Sequence, residues 1–138
     1  MVEQSLRALG LDPAAAKTGG EGGGASYALR RGSARVFVAV HPGNEQRPGS
    51  LRVAAPVVKL PPGDRRAALL QHVLELNARE LVGAAFGLIG EEVVVVSERA
   101  LRDLDASEVD ATIRGVGRLA DTWGDALATR FDTERSSG

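Results

Sequence analysis

The chain has 138 residues, 43% hydrophobic and 25% charged, with a formal net charge of −1. These values fit one globular domain over 1–138, with one core and no charge field to draw nucleic acid or an anionic membrane. The absence of cysteine excludes disulfides, thiolate nucleophiles and cysteine-ligated zinc. No apolar run is long enough to span a bilayer, and Met1-Val2-Glu3-Gln4 lacks the basic start of a signal peptide, so a cytoplasmic location is expected.

Val2, Leu6 and Leu9, followed by Gly10, predict a short amphipathic helix. Five glycines crowd the stretch from Asp12 to Ala25, which is expected to be a flexible Gly-rich loop. Residues 27–31 and 34–40 read as two strands joined by Gly32-Ser33, a pair suited to a tight hairpin. In the second, Val36, Val38 and Val40 share one face and Phe37 and Ala39 the other, as in a central strand. A polar connection marked by Pro42-Gly43 and Pro48-Gly49 leads to a third strand over 51–60. Pro56 cannot donate to a ladder, which predicts a bend or an edge there.

Pro61-Pro62-Gly63 ends that strand, and Asp64 is the expected N-cap of a helix to about Val82. Its expected apolar face is Leu70, Val73, Leu74, Asn77 and Leu81. Residues 84–89 and 92–97 flank the turn Gly90-Glu91 and read as another hairpin. Asp105 or Ser107 then caps a long helix whose stripe runs Val109, Ile113, Val116, Ala120, Trp123, Leu127 and Phe131. The polar tail Asp132–Gly138 is expected to fray. The fold class is α+β, in the order α-β-β-β-α-β-β-α, with helices packed on an antiparallel five-stranded sheet.

Between Asp64 and Ser97, a helix ending Leu76-Asn77-Ala78-Arg79-Glu80-Leu81 runs into a strand pair, with a long helix after it. This layout, from about Leu6 to Phe131, resembles the type III secretion chaperone-like fold and, within it, YbjN-type domains. The resemblance implies a homodimer that binds extended segments of client proteins, with no shared catalytic residues.

The chemistry-bearing residues give little to set against that. Lys17-Thr18 precedes the glycines instead of following them, and a strand comes next, unlike a phosphate-binding loop. The glycines of Gly115-Val116-Gly117 sit inside a helix, where they signal close approach to a neighbour. His72 and Glu75 on one exposed helix turn make a poor metal site, and His41 lies at a strand end. The carboxylates fall at caps, turns and polar faces; Asp110 and Arg114 are spaced as a surface pair. No catalytic, cofactor or metal residue is expected.

The valine run Val93–Val96 places apolar side chains on both faces of its strand. One sheet face is then covered by helices, and the other needs the first helix, a second subunit or a client. The expected function is non-catalytic protein binding, as a chaperone-like scaffold or adaptor with a protein partner, and no nucleic acid or membrane. The candidate interaction residues are Val36, Val38, Leu51, Val53, Val94, Trp123, Leu127 and Phe131. The alternative is a ligand- or nucleotide-sensing regulatory domain using the loop from Lys17 to Gly24.

Overall fold

The computed structural model of the protein describes residues 1–19 and 24–136. The elements are α1 (Val2–Ala8), α2 (Pro13–Ala16), β1 (Lys17–Gly19), β2 (Ala25–Arg31), β3 (Ala34–His41), β4 (Ser50–Lys59), α3 (Asp64–Arg79), β5 (Ala85–Ile89), β6 (Glu92–Ala100) and α4 (Ala106–Phe131). The strands form one antiparallel sheet in the order β1-β2-β3-β4-β6-β5.

Six strands replace the expected five, because the segment read as a loop from Asp12 contains α2 and β1. Asp12 Oδ1 accepts from the Ala14 N–H at 3.0 Å and Pro13 follows it, so a cap and an N1 proline start a single turn. The chain then pairs Lys17 with Tyr27. The glycines from Gly20 to Gly23 lie outside the described residues.

The inner face of the sheet carries Tyr27, Leu29, Val36, Val38, Leu51, Val53, Val93 and Val95, each buried. α4 lies against this face through Val109, Ile113, Val116, Ala120, Leu127 and Phe131. At about 2 kcal/mol per fully buried aliphatic side chain, this seam is the main source of stability. Asp105 caps α4 with a full capping box: its carboxylate accepts from the Glu108 N–H at 2.9 Å, and Glu108 reaches back to the Asp105 N–H.

Gly117 permits the contact expected of it, since a Cβ there would come 2.8 Å from the Arg31 Cβ. Gly115 has nothing within 4 Å. Leu6 and Val2 bury α1 beside α4, and the Tyr27 hydroxyl donates to Glu3 at 3.1 Å. Burial first, then that bond to a carboxylate, raises the Tyr27 pKa.

α3 differs from its predicted face. Leu69, Val73 and Leu76 are buried, whereas Leu74 is 66% exposed. The steps of four and three from Leu69 define the stripe that meets the core, and Leu74 falls opposite it. The helix stops at Arg79, its cap residue is Gly63 with φ +69°, and Asp64 is its first helical residue.

β4 is central, so Pro56 marks a bend and not an edge. The β4–β6 register slips between Pro56 and Val58, and consecutive Val57 and Val58 both turn inward. The described part of the tail lies against the sheet. Asp132 takes a left-handed conformation (φ 49°, ψ 59°) that turns the chain back, and Arg135 bridges to Val58.

Candidate peptide-binding surface

The sheet register places Ala28, Phe37, Ala54, Val96 and Ala85 in one row across β2, β3, β4, β6 and β5 on the outer face. Pro56, Val94 and Gly87 form the next row. Phe37 is 38% exposed and Ile89 63% exposed, although both are large apolar residues. Between the rows lies a shallow depression of about 340 Å³ lined by Phe37, Pro56, Ile89 and Val94, with Arg35 and Glu92 contributing opposite charges. The Arg35 guanidinium stands 5.1 Å from the Phe37 ring centre. α4 packs on the inner face, and α1 and α3 both contact α4, so none of these three helices covers the outer face.

The sequence-proposed contact residues divide between the two faces. Val36, Val38, Leu51 and Val53 lie on the inner face and Leu127 on α4, each at most 1% exposed. Phe131 is buried, and Trp123 is half-buried with its ring edge-on to Phe86 at 6.3 Å. Val94 is the member of the set on the outer face, where it pairs with Pro56. Phe37, Ala54, Val96 and Ile89 were not proposed. Their signal was the alternation that set Phe37 and Ala39 opposite the valines of β3.

Three more large apolar side chains are exposed on α3, on the α3–β5 connection and on β5. Leu74 on α3, Val82 beyond it and Leu88 on β5 are 66%, 92% and 49% exposed. β5 is an edge strand, but Asn77 covers its middle: Oδ1 accepts from the Phe86 N–H at 2.7 Å and Nδ2 donates to the Phe86 carbonyl at 3.1 Å. The asparagine of the family-like helix ending therefore replaces a neighbouring strand at that position.

A polar clamp joins the β2–β3 turn, α4 and the tail. Asp121 accepts from the Ser33 hydroxyl and backbone N–H, and Arg135 donates to Asp121 at 3.3 Å, Asp125 at 3.2 Å and Ser33 Oγ at 2.8 Å. Burial acts to raise the Asp121 pKa, but the bonds from Ser33 and Arg135 and the guanidinium charge outweigh it, holding the carboxyl below the usual aspartate range. Asp105 is also lowered, by the Ser107 hydroxyl and then the Glu108 N–H.

Lys17 and Thr18 lie in β1, and the next described element is the strand β2. His72 is half-buried, 5.6 Å from the Phe131 ring, and does not point to solvent as expected; Glu75 accepts from Gln71. Among the described residues, no group of three or more His, Asp or Glu is placed to hold a metal ion, and no helix is long and apolar enough to cross a membrane.

A comparison with curated proteins gave no significant match. Among solved structures, the fold is similar to a chain of the crystal structure of the ExsC–ExsE complex, with a TM-score of 0.63 and 14% identity over 91% of this chain and 90% of that one. The sequence model of one family matches residues 1–137. With nearly its whole length matched, this chain belongs to the family described as T3SS (YopN, CesT) and YbjN peptide-binding chaperone 1.

Proposed function

We propose that this chain is a non-catalytic, cytoplasmic chaperone that holds an extended, apolar client segment against the outer face of its sheet. The observation that carries the reading is the apolar surface of the exposed Phe37 and Ile89 and the half-buried Pro56 and Val96, grouped around a buried Val94. An extended peptide presents alternate side chains to such a surface and turns the others to solvent. Arg35 and Glu92 lie close enough to the depression to set the direction or charge of the bound segment.

The active form in this proposal is a homodimer built on the exposed apolar side chains of α3, the α3–β5 connection and β5. Leu74, Val82 and Leu88 are too exposed to serve the core, and Asn77 disfavours simple strand-to-strand extension at Phe86. Packing of α3 and β5 against the same elements of another copy would bury them.

Peptides selected from a random displayed library on the immobilised protein test the client surface. Phe37→Glu and Ile89→Glu are expected to weaken the selected peptides by about tenfold or more while thermal stability changes little. Unchanged binding by these folded variants would remove the outer face from consideration.

A further inference from the structure

The register between β3 and β4 ends at the Phe37–Ala54 pair, while β4 continues against β6 to Lys59. Pro56, without an N–H, sits where the β3 ladder stops. The remaining edge of β4 is therefore open to another strand, and residues 133–136 occupy it. The Lys59 N–H donates to the Glu134 carbonyl at 2.9 Å, and the Ser136 N–H donates to the Val57 carbonyl at 3.0 Å. Thr133 Oγ1 donates to the Lys59 carbonyl at 2.7 Å.

The side chain at the centre of this short strand has its own receptor. Arg135 reaches Asp121, Asp125 and Ser33 Oγ, and its Nη2 approaches the Ala120 carbonyl at 3.4 Å. Gly124 leaves room for it, because a Cβ there would lie 2.8 Å from Arg135 Cζ. Two carboxylates, a carbonyl, a hydroxyl and a glycine floor suit a guanidinium better than an ammonium, which lacks the planar fork.

The fit is incomplete. Arg135 Nε and Ser136 Oγ are buried without a hydrogen-bond partner among the described residues, and each such atom weakens the fit. An occupant so held is suited to exchange.

We infer that the β4 edge beyond Ala54 is a strand-addition slot with an arginine pocket, filled in cis by residues 133–136. In trans it accepts an extended peptide segment that carries an arginine followed by a small residue. The slot adjoins the outer-face depression at Pro56 but binds through the β4 edge and the α4 carboxylates, and the inference takes from the peptide-binding reading the class of partner alone.

The probe is a fluorescein-labelled peptide of residues 132–138. A variant ending at Asp132 is expected to bind it saturably, about tenfold or more tighter than the full chain does. Replacing the peptide's arginine by alanine, or Asp121→Asn in the shortened protein, is expected to remove most of that binding, whereas Phe37→Glu leaves it unchanged. A folded shortened protein that ignores the peptide, or that binds the alanine peptide equally well, overturns the inference. Failure of Phe37→Glu to alter library-selected peptides would count against the outer-face reading alone.

If the shortened variant does not fold, amide exchange on the intact chain decides. The Lys59 and Ser136 amides should exchange by local opening, well before the β4–β6 ladder. Protection equal to that ladder would contradict an exchangeable strap.

Discussion

Gly115 and Gly117 stand two residues apart on α4 and are expected to respond oppositely to a methyl group. At Gly117 the new Cβ meets Arg31 at 2.8 Å, so Gly117→Ala should cost about 1–2 kcal/mol despite its helix-propensity gain. At Gly115 the space is open, and Gly115→Ala should stabilise by roughly 0.5–1 kcal/mol. Urea denaturation of the two variants checks both signs. The motif was legible as a helix contact, but sequence alone did not distinguish its two glycines, because Arg31 reaches Gly117 through the β2–β3 hairpin.

Asp121 ties acid stability to the clamp. Its folded pKa lies below its unfolded value, so its contribution is complete above about pH 5 and is lost as pH falls through the folded value. Asp121→Asn should therefore flatten the acid limb of the stability–pH curve below about pH 5, leaving the shape at neutral pH unaltered. Thermal melts at a series of pH values measure this; an unchanged acid limb would show that Asp121 does not supply it.

Among the elements, α4 was the most legible, since its 26 residues hold one stripe over seven turns, and Asp105, one of two candidate caps, starts it. Asp105→Ala should destabilise the fold, read from a lower urea midpoint at constant m-value. β1 was illegible because its three residues are all exposed and pair through backbone alone. The strap at 133–136 was hidden for the same reason: its polar sequence has no apolar period, and its anchor depends on carboxylates from α4. The α3 stripe was shifted because Leu69, Leu70, Val73 and Leu74 satisfy two faces, and the sheet chooses between them.

At the scale of the molecule, the apolar residues of β3 and β6 indicated that both sheet faces are apolar. It did not show which face the helices take. α4 chose the inner one, which moved Val36, Val38, Leu51 and Val53 into the core and left Phe37, Val94 and their neighbours outside. A protein that keeps such a face open needs an occupant to escape aggregation.

Light scattering coupled to size exclusion should give a dimer at about 100 μM, and Leu74→Glu with Val82→Glu should convert it to a folded monomer. A wild-type monomer at that concentration would exclude the α3–β5 pairing.

Amide chemical-shift mapping with a library-selected peptide tests the central claim most directly. The account predicts that the largest changes fall on Phe37, Ala54, Val94 and Val96, which the register gathers on the outer face. Changes concentrated on α4 or α1, with those strands silent, would contradict it.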